Sequence, residues 1–195
     1  MTWKYRLGLV ARIMLLGGAA AVIPGLSARH VNRIACRGSD SAIFLLEAQA
    51  VPTATQVPCF DQLPVGWTYG ESEFRSGLVR VFLDSDRAGD RAVELTMTRT
   101  CDVSRATRVV VPAGPIGVQR YDQHRFVGAR ETVSFFRFEG GCVTYRFSFT
   151  RDSAPSIFTQ ADRFLGFTPR QVYVDGLRQD EGLTLCGADA PPCPG

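Results

Sequence analysis

Residues 137–149 read RFEGGCVTYRFSF. Val143, Tyr145, Phe147 and Phe149 share one parity, and Thr144, Arg146 and Ser148 share the other. A period of two is the signature of a half-buried β-strand. The pattern recurs along the chain. Residues 78–83 (LVRVFL) predict a strand, followed by the turn chemistry of DSDRAGDR. Residues 91–98 predict another, with Val93, Leu95 and Met97 facing in and Glu94, Thr96 and Thr98 facing out. TRVVVP and IGVQRY, residues 107–112 and 116–121, predict two shorter strands. Residues 131–138 pair naturally with 142–149 across Glu139-Gly140-Gly141, a hairpin loop.

One helix stands out. Ala154, Ile157, Phe158, Ala161, Phe164 and Leu165 recur at helical spacing. Asp152 and Ser153 precede them as caps, Pro155 suits the first turn and Gly166 the end. Residues 171–174 and 182–185 are candidate final strands. The chain therefore predicts an α+β domain, mainly an antiparallel β-meander sheet covered by one or two helices.

Charge divides the chain. Residues 1–37 carry Lys4, Arg6, Arg12, Arg29, Arg33 and Arg37 and no acidic group, whereas every Asp and Glu lies at Asp40 or later. A mildly acidic body argues against a nucleic-acid partner. The arginine excess, with Lys4 the single lysine and Asn32 the single asparagine, reads as coding bias. Residues 7–28 are apolar except for Arg12, long enough for a spanning helix. A cleaved signal peptide is the rival, but Leu26 is a poor match to the small residue a cleavage site needs. The expectation is a single-pass transmembrane anchor in the membrane lipid over 7–28, within a basic segment 1–37. A short helix and a Pro/Thr-rich connector follow over 38–58, and an extracytoplasmic domain over 59–195.

The cysteines favour that orientation. Cys36, Cys59, Cys101, Cys142, Cys186 and Cys193 all lie beyond the apolar segment, and an even count suits an oxidising compartment. Cys142 has the polar parity of its strand, where the core does not ask for a cysteine. Cys101 opens the polar stretch CDVSRAT just after the 91–98 strand. A Cys101–Cys142 bridge would pin that stretch across the outer face of the sheet. Nearness in sequence then leaves Cys36–Cys59 and Cys186–Cys193, among 15 connectivities that six cysteines allow.

Signatures of chemistry are sparse. His30 and His124 have no metal-ligand partner at short spacing, and no Cys-x-x-Cys pair occurs, so no metal is expected. No nucleophile elbow, zincin, phosphate-loop or dinucleotide motif is present, so no cofactor and no catalytic residue are expected. His124, in RYDQHRF, is expected in a loop. Asp84, Asp86 and Asp90 begin like a calcium loop, but Glu94 comes too early for an EF-hand. A solvated turn accounts for them. Trp67 and Tyr69, in LPVGWTYG, are a candidate ligand-stacking pair, against the plainer reading as the edge of a core.

At CRGSDSA, AQAVPTATQVPCF, LPVGW, LDSDRAGDRAVE and GGCVTYRF, spanning residues 36–149, the chain resembles a group of membrane-anchored actinobacterial envelope proteins. The resemblance implies an N-terminal membrane segment and an extracytoplasmic domain, and carries no catalytic residue across. LPVGW followed by a meander is also similar to sensor or lipoprotein domains that bind proteins or lipids. The expected function is a membrane-tethered binding module of the cell envelope with a protein, lipid or glycan partner. The alternatives are an envelope hydrolase or transferase whose acidic residues assemble in the fold, and a structural subunit of a membrane complex.

Overall fold

A computed structural model describes residues 41–185, except 61, 113, 128 and 150–153. The predicted anchor and the cysteines at 36, 186 and 193 lie outside the described residues. Among the described residues no helix is long and apolar enough to cross a membrane.

Seven strands form one antiparallel sheet: β2 (Trp67–Arg75), β3 (Leu78–Ser85), β4 (Gly89–Thr98), β5 (Thr107–Val109), β6 (Gln119–Val127), β7 (Ala129–Phe138) and β8 (Gly141–Phe147). Their order is β2-β3-β4-β8-β7-β6-β5. The α+β class and the antiparallel sheet expected from the alternation are thus present. Val79, Val81 and Leu83 stand opposite Met97, Leu95 and Val93, which stand opposite Val143, Tyr145 and Phe147. These rows make one face apolar, and every residue in them is fully buried.

Helix α2 (Pro155–Phe164) closes over that face with Ile157, Phe158, Ala161 and Phe164. The Tyr145 hydroxyl donates to the Ala161 carbonyl at 3.0 Å, and Trp67 Nε1 donates to Gln160 Oε1 at 3.0 Å. Ile157→Asp is expected to lower unfolding stability by about 3 kcal/mol, because the carboxylate would be buried without a partner. Thr159→Asp, on the exposed side of α2, is expected to stay within about 0.5 kcal/mol. Urea unfolding of the two variants checks this, and equal losses would contradict the facing of the helix.

A second, smaller core lies beside the sheet. Helices α1 (Ser41–Ala50) and α3 (Arg170–Asp180) pack with the two-stranded ladder of β1 (Gln56–Phe60) and β9 (Leu165–Pro169). Phe44, Ala48, Val57, Cys59, Val174, Leu177 and Leu185 fill it. The short helix expected within 38–58 is α1, whereas the end of the expected connector supplies strand β1 of the fold. Three other expectations change. Residues 171–174 are helical within α3 rather than a strand, because Val174 and Leu177 meet the second core together, three residues apart. Residues 182–185 form no strand. His124 sits on β6, opposite Thr132 of β7, and not in a loop.

The chain leaves β4 at Thr98 and re-enters the sheet at its far edge, β5. Four strand spacings separate them, roughly 19 Å. Residues 99–106 make the crossing over the outer face. Val103 and Ala106 pack there against Val133, Phe135 and Cys142. The Cys101–Cys142 disulfide is formed, with Cα atoms 5.8 Å apart. Cys142 has the predicted polar-face parity and yet is 1 % exposed, because the bridged crossing covers it. Cys59 is also disulfide-bonded.

Candidate functional site

Register carries the apolar rows past β8 and changes their chemistry. Met97 and Val143 lead to Phe136, then to Arg120, then to Val109 at the β5 edge. Leu95 and Tyr145 lead to Ser134, Asp122 and Thr107. The face that is purely apolar under α2 becomes charged at β6. Asp162, on α2, reaches that row from above.

Arg120 is the hub. Its Nε donates to Asp122 Oδ1 at 2.8 Å and its Nη2 to Ser134 Oγ at 3.2 Å. Nη1 reaches Asp162 Oδ2 at 3.2 Å, and Nη2 lies 2.8 Å from Asp162 Oδ1. The guanidinium also lies 5.5 Å from the Phe136 ring centroid. Burial opposes its charge, but the hydrogen bonds and charges of Asp122 and Asp162 outweigh burial and raise its pKa. The same carboxylate acts on the core. Burial first, and the Asp162 charge second, push the Tyr145 phenol well above its ordinary value. Tyr145 is therefore a neutral donor that fixes α2.

Beyond this cluster the sheet face is open. A groove of about 290 Å³ runs between the β5–β6 edge and β9, lined by the apolar Val109, Val111, Val118, Phe136, Leu165 and Phe167 and by the charged Arg108, Arg120 and Asp162. Val110 and Val111, which line the groove, are 85 % and 45 % exposed, so the groove has an apolar lip. Convergent carboxylates would be the mark of a hydrolase. Asp122 and Asp162 do converge, yet on a guanidinium that occupies both through charge-assisted hydrogen bonds. Through Arg120 they hold α2 to β6.

The residues singled out in the sequence lie elsewhere. Trp67 is 5 % exposed and its ring stacks edge-on to Phe164 at 5.1 Å, inside the core under α2. Tyr69 is half-buried against Phe60, with centroids 6.0 Å apart. Asp84 accepts the Arg91 backbone N–H at 2.7 Å. The Asp84 and Asp86 carboxylates lie where a Cβ at Gly70 or Gly66 would stand. These acids brace a turn, and no cluster of metal-ligating residues occurs among the described residues.

Glu47 is a separate feature. It is 2 % exposed on α1, and burial raises its carboxyl well above the ordinary value. Arg120, Asp122 and Asp162 were not flagged by any motif. They come from two rows of the sheet and from α2, and meet only through the register of β6 and the seating of α2. No known family model matches the chain, and neither does any curated protein or any solved structure.

Proposed function

We propose that this protein is a binding module, tethered to a membrane and placed outside the cytoplasm, that seats a partner at the β5 end of its sheet. The observation that carries the reading is the groove. There the sheet face that α2 covers elsewhere is left open, lipped by exposed valines and lined in part by an internally neutralised arginine. Large exposed apolar side chains at the rim of a concavity mark interaction sites. The Cys101–Cys142 bridge supports an oxidising location. The apolar segment 7–28 supports the tether.

A photoreactive phenylalanine placed at Val110 of the full chain, in the cell's own membranes, tests it. The control position is Val65, which is 98 % exposed and far from the groove in sequence. A discrete adduct is expected from Val110 and not from Val65. The same pattern from both positions would sink the reading.

A further inference from the structure

We infer that the groove's partner is an extended peptide segment of another protein, added to the sheet as a strand beside β5 and alternating apolar with acidic side chains. The inference rests on the binding-module reading and names its ligand class.

The two edges of the sheet differ. β2 at one end carries a register shift between Tyr69 and Ser72, and presents Glu71, Glu73 and Arg75. Bulges and charges are the usual means of blunting an edge against further pairing. β5 at the other end carries no carboxylate and continues into Val110 and Val111. It pairs with β6 on one side only. The Val110 N–H has no backbone partner among the described residues. Such an edge is a template for strand addition.

Period-two geometry then specifies the incoming side chains. Thr107 and Val109 lie on the groove face, in the rows of Asp122 and Arg120. Arg108 has the opposite register parity, in the row of Tyr121 and Phe135, and also borders the groove. Arg108 is exposed and makes no ion pair among the described residues. A strand laid beside β5 points alternate residues into each row. Those on the groove face meet Val109 and the open apolar walls. Those on the other face come opposite Arg108, where a carboxylate is the complementary charge. The groove, of about 290 Å³, admits side chains rather than a large ligand. A second copy fits less well, since self-pairing would bring two Arg108 side chains onto the same face.

The test is selection of random 12-residue peptides displayed on phage against the detergent-solubilised full chain. Selected peptides are expected to alternate apolar and acidic residues. Val110→Pro, which removes an edge donor without touching a β5–β6 bond, is expected to weaken them at least tenfold while leaving the thermal melt unchanged. Selection on Arg108→Glu is expected to return basic residues in place of acidic ones. Binders indifferent to Val110→Pro but lost in Val111→Asp would overturn strand addition and leave groove binding standing. A dimer that Val110→Pro dissolves would overturn it in favour of a second copy. No binders at all would overturn both the strand and the groove.

Discussion

Gly140→Ala is expected to bring the protein close to unfolding. Gly140 lies in the β7–β8 turn at φ +69°, in the left-handed region where L side chains are strained. An alanine Cβ there would stand 1.7 Å from the Thr53 carbonyl oxygen. The obstacle is backbone, so no rotamer change relieves it. Either the turn or the 51–55 segment must move. The contacts at stake are specific. Thr53 Oγ1 donates to the Gly140 carbonyl at 2.7 Å. The Thr55 N–H and hydroxyl both donate to the Glu139 carbonyl, at 3.0 and 2.9 Å.

Three lost hydrogen bonds at about 1 kcal/mol each, with about 1–2 kcal/mol of backbone strain, sum to roughly 4–5 kcal/mol. That approaches the whole stability of a marginal domain. Gly77→Ala is the control. Gly77 has φ +80° but nothing within 4 Å of its Cβ position, so only the strain, about 1 kcal/mol, applies. Urea midpoints that fall equally for the two variants would mean that the β7–β8 turn does not rest on the 51–55 segment.

Removing the Cys101–Cys142 bridge is expected to lower stability by about 4 kcal/mol, from the chain entropy of a loop with a sequence separation of 41. The bridge holds the 99–106 crossing against the outer face, so its loss also uncovers Val133 and Phe135. Two measurements check it. A Cys101→Ala/Cys142→Ala variant should show the lower urea midpoint, and native protein should yield no alkylation at either cysteine. Undiminished stability, or ready alkylation at both, would remove the bridge and the argument for an oxidising compartment.

Strands β3, β4, β7 and β8 were legible because each is half-buried, so burial is written into the sequence as alternation. Helix α2 was legible for the analogous reason at period 3.6: Ile157, Phe158, Ala161 and Phe164 are buried as the spacing selects, whereas Leu165, which the spacing also puts on the helix, begins β9. The Cys101–Cys142 pair was legible because a cysteine of polar parity at a strand start has little reason to be there unless something covers it. Other elements carry no such record. β1 is buried on both faces, so QVPCF does not alternate. β2 is an exposed edge interrupted by a bulge, and WTYGESEFR shows charge where a core strand would show Val or Ile. In α3 the run QVYV has the look of a strand, but a second core that collects Val174 and Leu177 makes it helical.

By itself, then, the sequence determined which segments have an inside and an outside. It could not determine which insides are covered. Arg120, Asp122 and Asp162 join only because β6 sits at one register on β7 and α2 lies at one height above them. The groove opens because α2 covers the rows as far as Asp162 and reaches no further across β6 and β5. Both are set by contacts between residues distant in the chain, and period and parity describe only neighbours.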